Sequence, residues 1–316
     1  MDSQRLHTII GKLRLRSPLL TASGTSGSAD ELAGLQNAAT ILGALGAFVT
    51  KGVTLAPRQG NPEPRIIETR AGILNSIGLQ NKGAERFLRE DLPKLRRYGV
   101  PIIVNISANT IEEYGALAAR ILEDGPDVAG LEINVSCPNI KQGGVSFGVD
   151  PVAVEKIVRA VKKEAGTVTI LTKLTPNITD ITVAARAAIA GGTDALSMIN
   201  TLRGVAINIR TQKPYFANVV AGLSGPAIKP VGLCMVWDCF AKIPECRRRA
   251  VPIVGVGGIS TWRDAVEYLL AGASAVQVGT AWFVYPNVFV EIKKGLETYL
   301  KQQKTTVLEL IGRAHR

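Results

Sequence analysis

Histidine is nearly absent from this 316-residue chain: only His7 and His315 occur, one near each end. A His-built metal site or a Ser-His-Asp triad needs an imidazole fixed among its partners, and these two positions offer none. Cysteine is sparse as well. Cys137, Cys234, Cys239 and Cys246 contain no C-x-x-C pair, so neither structural zinc nor iron–sulfur ligation is expected, and no metal is assigned to the chain. No run of about eighteen apolar residues occurs, which excludes a membrane-spanning helix. The opening stretch MDSQRLHTIIGKLRLRS lacks a continuous apolar signal core, and a cytoplasmic location is the expectation. No low-complexity segment or Pro/Gly/Ser linker interrupts the sequence, so residues 1–316 are read as a single domain. No strand–GxGxxG–helix unit proposes NAD on this chain. Acidic residues are outnumbered, 26 against 37 basic, for a formal charge of +11. The excess is spread over pairs such as Arg14/Arg16 and Lys162/Lys163 and the run Arg247–Arg249, without interleaved aromatics. That pattern predicts solvated surface rather than a nucleic-acid interface.

What the sequence does contain is a repeated alternation of short β runs with amphipathic helices. Strands are predicted at Leu19–Ala22, Ala47–Lys51, Pro101–Ile106, Leu131–Asn134, Ile170–Leu174, Ala195–Ile199, Pro252–Gly255 and Ala275–Val278. Most are near-continuously apolar or β-branched, as parallel strands buried on both faces must be. Eight of them predict an α/β fold, a single (β/α)8 TIM barrel. Asp150-Pro151 reads as an N-cap with proline at the first helical position, followed by Val154, Ile157, Val158 and Val161 at helical spacing. Thr110 and Glu113 form a capping-box pattern, and Ala184–Ala190 stops at Gly191-Gly192. The stretches 52–99 and 200–250 exceed what barrel loops need. As insertions over the C-terminal face they predict a substrate lid or an interface.

The strand ends carry the chemistry. In order they read Ser23-Gly24, Lys51, Asn105, Asn134, Lys173, Asn200-Thr201, Gly257-Gly258 and Gly279-Thr280. A lysine at the tip of a buried strand is costly without an anionic partner, and here there are two. The glycines after strands seven and eight stand where barrels of this class bind phosphate, which indicates a phosphate-bearing cofactor. Two lysines and several amides suit a flavin: a cation at the ring's carbonyl edge stabilises the reduced form, and amides satisfy the donors and acceptors of an imide. In EINVSCPNIKQGGVSF (Glu132–Phe147) a lone thiol, Cys137, follows the strand end and could take a proton from carbon, with Gly143-Gly144 as the hinge of its loop.

Beyond these separate readings, the motifs ASGT (Ala22–Thr25), TKGVT (Thr50–Thr54), NSIGLQN (Asn75–Asn81), INVSCPNIKQGGVSFG (Ile133–Gly148), LTKLTPNITDI (Leu171–Ile181), MINTLRGVAINI (Met198–Ile209), AGLSGPAIKP (Ala221–Pro230), VGVGGI (Val254–Ile259) and VGTAWF (Val278–Phe283) resemble the class 1 dihydroorotate dehydrogenases. The resemblance is strongest to the catalytic subunit of the heteromeric class 1B enzymes. It implies flavin-dependent oxidation of (S)-dihydroorotate to orotate in pyrimidine (UMP) biosynthesis, with FMN on this chain. Cys137 would remove the C5 proton while the C6 hydride passes to flavin N5. Lys51 would contact both flavin and substrate. Asn75, Ser76, Ile77, Gly78, Leu79, Asn134, Asn200 and Thr201 would line the substrate site. Ser23, Gly52, Asn105, Asn134, Lys173 and Ile199 would hold FMN, with its phosphate on Gly225, Gly257, Gly258, Gly279 and Thr280. A partner subunit carrying FAD and a [2Fe-2S] cluster is implied, relaying electrons to NAD within a heterotetramer of two catalytic and two partner chains.

The sequence departs from the family pattern in three places. Ser26, Gly27 and Ser28 replace the expected aromatic and glycine after ASGT, Ala221 replaces a glycine, and CRRRA (Cys246–Ala250) is unusually basic. Two other readings stay open on the residues alone: a dihydropyrimidine dehydrogenase-like FMN enzyme, and a non-catalytic barrel that binds a phosphate ligand.

Overall fold

Buried β-branched runs separated by amphipathic helices close into a barrel. The computed structural model describes every residue except 1, 26, 28–30, 32–33, 36, 137 and 140–144, and at 2–3, 138–139 and 145–146 it describes the backbone alone. Eight parallel strands form one sheet: β1 (Leu19–Thr21), β2 (Phe48–Val49), β3 (Ile102–Ile106), β4 (Gly130–Asn134), β5 (Thr169–Leu174), β6 (Ala195–Met198), β7 (Ile253–Val256) and β8 (Ala273–Val278). Each begins and ends within two residues of its predicted position. Neighbours follow chain order, and β8 pairs with β1 through Val276↔Leu19. Closure between β1 and β2 rests on a parallel bridge, Leu20↔Ala47, on Gly46 N donating to Leu19 O at 2.8 Å, and on Val49 N donating to Thr21 Oγ1 at 2.7 Å. The fold is therefore the predicted (β/α)8 barrel.

Side chains alternate along each strand, so the barrel interior is built in layers. At the N-terminal end Leu20, Ala47, Val49, Ile103, Leu171, Ala195, Val254 and Ala275 form an apolar layer. It is plugged from below by Ile10 and Leu15 of a hairpin, Thr8–Ile10 against Leu13–Leu15, that the sequence reading missed. Two residues further along five of the strands the interior turns polar, with Asn105, Glu132, Lys173, Ser197 and Gln277, all buried. This change from an apolar floor to a polar layer points the barrel's chemistry toward its C-terminal mouth.

The helices begin where their caps dictate. Asp150 accepts from Val152 N at 2.9 Å and starts Pro151–Ala165. Thr110 accepts from Glu113 N at 3.2 Å, but the expected capping box is opened: Glu113 reaches past Thr110 to accept from Asn109 N at 2.9 Å. The predicted Ala184–Ala190 run is the latter part of Ile181–Ala190, which is capped by Asp180 and stops at Gly191.

The two long excursions meet. From one, Ile66–Thr69 and Gly72–Asn75 pair; from the other, Leu202–Gly204 and Ala221–Ser224 pair. The four make an antiparallel sheet joined through Gly222↔Asn75. Gly72 permits that junction, since at φ +152° a Cβ would lie 1.9 Å from Ser224 O. The remainder of the second excursion supplies the barrel helix Lys229–Lys242. Among the described residues no helix is long and apolar enough to cross a membrane.

Candidate active site

The antiparallel sheet roofs a cavity of about 570 Å³ at the C-terminal ends of the barrel strands, well within the range of small-ligand sites. Every site residue predicted from the sequence lines it except Cys137. That residue lies outside the described residues, as do Gly143 and Gly144. Lys51, Gly52, Asn105, Asn134, Lys173, Asn200 and Thr201 stand at the ends of successive strands. Asn75 to Leu79 reach in from the first excursion, and Ile199 lies on the wall. Ser23, Gly225, Gly257, Gly258, Gly279 and Thr280 complete the far end.

An amide cluster holds the end of β4 as far as Ser136. Asn134 donates through Nδ2 to Ser107 Oγ at 3.1 Å. Its Oδ1 accepts from Ser136 N at 3.2 Å and from Asn200 Nδ2 at 3.1 Å. Asn200 Nδ2 also donates to Ser136 Oγ at 3.0 Å, and buried Tyr114 donates its hydroxyl to Asn134 O at 2.6 Å. The end of β4, up to Ser136, is thus held by side chains from two other strand ends and a helix. On the roof, Asn75 Nδ2 donates to Gly222 O at 3.0 Å, and Asn177 Nδ2 to Thr201 O at 3.1 Å. Asn177 was not singled out in the sequence, although it stands inside the LTKLTPNITDI motif.

The cation at the tip of β5 is buried, with Lys173 only 5 % exposed. Its Nζ donates to Ser23 Oγ at 3.2 Å and to Gln277 Oε1 at 3.4 Å, with Glu132 Oε1 3.7 Å away. Burying a lone ammonium costs several kcal/mol, and this partner set offsets that cost. The anionic partner required by the strand-tip argument is Glu132, whose role the sequence reading did not assign.

Three glycine turns build the end opposite the amides. Gly225, at φ +99°, precedes Pro226–Ile228, while Gly257 and Gly258, at φ +126° and +68°, follow β7. Gly279-Thr280 follows β8, with Thr280 Oγ1 donating to Ser224 Oγ at 2.9 Å. A Cβ on Gly258 would lie 2.6 Å from Lys229 Cβ and 2.8 Å from Lys229 N, so only glycine fits there. Lys229 cannot easily yield, because Nζ is bound to Asp264 at 2.7 Å and Glu267 at 2.9 Å. Burial works against the Lys229 ammonium, but the two carboxylates outweigh it and hold its pKa above the ordinary lysine value. Tyr268 fixes the other side of the turn, donating its hydroxyl to Gly257 O at 2.8 Å, and burial pushes its phenol well above the ordinary range. Tyr268 stands in the helix Trp262–Ala271 and was not singled out in the sequence.

The donor set can be tested against a flavin mononucleotide. Side-chain-free turns at one end suit a phosphate. Buried Lys173 suits the electron-rich edge of a reduced isoalloxazine, and the amides suit an imide. The residues present fit that group. Among the described residues no cluster of His, Cys, Asp and Glu side chains could hold a metal ion.

Comparison with known proteins agrees with this architecture. The family profile described as dihydroorotate dehydrogenase matches residues 5–300. A protein of Pelobacter propionicus is 50% identical over 301 residues, 95% of each chain. One of Geotalea uraniireducens is 48% identical over 313 residues, 99% of each, and one of a Thermoanaerobacter species is 48% identical over 295 residues, 93% of each. All three are named dihydroorotate dehydrogenase B (NAD(+)), catalytic subunit. With half its residues shared along nearly the whole length of such relatives, this chain belongs to the dihydroorotate dehydrogenase family.

Proposed function

We propose that this chain oxidises (S)-dihydroorotate to orotate, the ring-oxidising step of pyrimidine biosynthesis, in the cavity beneath the antiparallel roof. The observation that carries the reading is the convergence on one cavity of two strand-tip lysines, four asparagines and three glycine turns, in a chain of this family. The family is one of flavoenzymes, and FMN is the flavin that the glycine turns favour, because they suit a terminal phosphate. Gly225, Gly257, Gly258, Gly279 and Thr280 would hold that phosphate. Ser23, Lys51, Gly52, Asn105, Asn134, Lys173 and Ile199 would hold the rest. When bound, FMN supplies the two-electron acceptor that takes the C6 hydride.

The chain's own side chains do the remainder. Lys51 supplies a cation for the substrate carboxylate, which is also what favours dihydroorotate over dihydrouracil, a ring with no carboxylate to pair. Asn75, Asn134, Asn200 and Thr201 offer donors and acceptors to the ring's amide groups, with Ser76, Ile77, Gly78 and Leu79 along its edge. Cys137 takes the C5 proton, for which its thiol must be in the thiolate form near neutral pH. Excluding water under the roof strengthens each of these polar contacts. The relatives are named as NAD(+)-type catalytic subunits. That name supports a separate partner subunit and NAD(+) as the acceptor. The class 1B resemblance of the sequence implies that the partner carries FAD and a [2Fe-2S] cluster in an assembly of two catalytic and two partner chains, with the cytoplasm as the expected location. We read residues 1–316 as one FMN-binding domain.

The test is optical. The purified chain, reconstituted with FMN, should be yellow and should bleach when dihydroorotate is added without oxygen. A chain that takes up no FMN, or one bleached by dihydrouracil and not by dihydroorotate, removes the proposal.

A further inference from the structure

Glu132 lies in the middle of β4 with no exposed surface, in the polar layer whose Asn105 and Lys173 form the floor of the cavity. Its Oε1 accepts from Asn105 Nδ2 at 2.8 Å, and its Oε2 from Ser197 Oγ at 2.8 Å and Gln277 Nε2 at 2.5 Å. Lys173 Nζ is 3.7 Å from Oε1. Both oxygens thus accept from donors on three other strands of the barrel.

A carboxylate only accepts, and that dictates the orientation of two amides. Asn105 must turn its NH₂ down to Glu132, so its Oδ1 faces up. The Oδ1 stands 3.1 Å from where a Gly52 Cβ would be, and both residues line the cavity. Gln277 must likewise turn its NH₂ to Glu132, which leaves Oε1 for Lys173 Nζ at 3.4 Å. Without an obligate acceptor at 132, either amide could turn over. The cavity would then meet a donor at Asn105, or Lys173 would face an NH₂.

We propose that Glu132 is a positioning residue for the cofactor: from beneath the cavity its carboxylate makes Asn105 present an acceptor to the bound flavin and holds the Lys173 ammonium in place through Gln277. This rests on the FMN reading above. It adds a residue that touches neither substrate nor flavin and acts through the orientation of two amides.

The test is an exchange of carboxylate and carboxamide. In Glu132→Gln the new NH₂ must face either Asn105 or the Ser197–Gln277 pair, so one of the two amides turns over. FMN affinity, measured by quenching of flavin fluorescence on reconstitution, should fall at least about tenfold, the effect of one misdirected hydrogen bond. In Glu132→Gln/Asn105→Asp the carboxylate moves to position 105. It can accept from the new NH₂ and still offer an oxygen to the cavity, and the charge beside Lys173 is restored. Affinity should return to within about threefold of the unaltered chain. Unchanged affinity in the single variant, or no recovery in the double, overturns the proposal. If Glu132→Gln does not fold, the double variant decides: a folded double variant that binds FMN supports the proposal, and one that fails to fold or to bind overturns it. Failure of the unaltered chain to bind FMN removes the flavin reading and this proposal together. If the unaltered chain binds FMN but the variants do not follow the expected pattern, only the role of Glu132 is removed.

Discussion

Alanine at position 258 should separate the phosphate from the rest of the flavin. Gly258 sits at φ +68°, where an alanine costs about 1–2 kcal/mol in backbone energy alone. The added Cβ would also stand 2.6 Å from Lys229 Cβ, 2.8 Å from its N and 2.9 Å from its Cα, where 3.4 Å is ordinary contact. These are not the free end of a side chain, and Lys229 is anchored through Asp264 and Glu267. The turn after β7 must therefore move by roughly 0.8 Å. An N–H···O bond tolerates about 0.5 Å of spread, so at least one charge-assisted bond to a phosphate should be lost, worth about 2 kcal/mol or about thirtyfold in affinity. The assay compares FMN with riboflavin, which lacks the phosphate. Gly258→Ala should weaken FMN about thirtyfold and leave riboflavin within about threefold, so that the preference between them collapses. Equal weakening of both ligands, or FMN binding as before, would refute the assignment of this turn to phosphate.

Strand existence was legible because a parallel barrel buries both faces of every strand, so each reads as a short apolar run. The strand-end positions followed, since barrel geometry sends them all to one mouth. The N-terminal hairpin was not legible: Thr8–Ile10 and Leu13–Leu15 are three residues each, shorter than any periodicity can mark, and Gly11 at φ +55° was the available clue. The roof was legible only as excess length, because its pairing joins segments about 150 residues apart through Gly222↔Asn75. Among site residues, Glu132 and Gln277 were visible in principle. Each is a polar residue in the interior of a largely apolar strand, GLEIN and ASAVQV, and the cost of burying them demands partners just as it does for Lys173. Both stand inside their strands rather than among the strand-end residues. Tyr268 and Lys229 carried no such mark, because their contribution is to hold backbone rather than ligand.

The polar layer makes Lys173 hard to replace. Lys173→Met should abolish FMN retention and lower stability by about 3–5 kcal/mol, because Glu132 is left buried with its cation gone; a yellow protein with an unaltered melting temperature would contradict this. Cys137→Ser should keep FMN bound while slowing anaerobic reduction by dihydroorotate at least about a hundredfold in stopped flow, and an unchanged rate removes the assignment of Cys137 as base. Brief alkylation at pH 8 followed by peptide mapping should label exposed Cys234 and spare Cys239 and Cys246, whose thiols burial raises, that of Cys246 to about 12; labelling of either in the folded chain would show that this part of the core opens. The clamp on the β7 turn should fail in acid. Burial works against the Asp264 carboxylate, but hydrogen bonds from Lys229, Ser260 and Thr261 outweigh it and hold its pKa below the ordinary value. A carboxylate depressed in the folded state contributes stability above its unfolded pKa of about 3.9, and that contribution is lost as pH falls through the folded value. Asp264→Asn should therefore cost about 1 kcal/mol at pH 7 in urea unfolding, and the cost should shrink once both chains are measured near pH 3. Since Lys229 is the residue against which Gly258 packs, the unaltered chain should release FMN more readily over that same acid window, and the variant should already do so at pH 7. A penalty independent of pH would mean that Asp264 acts through its shape and not its charge, and the ion pair would then have no part in holding the turn.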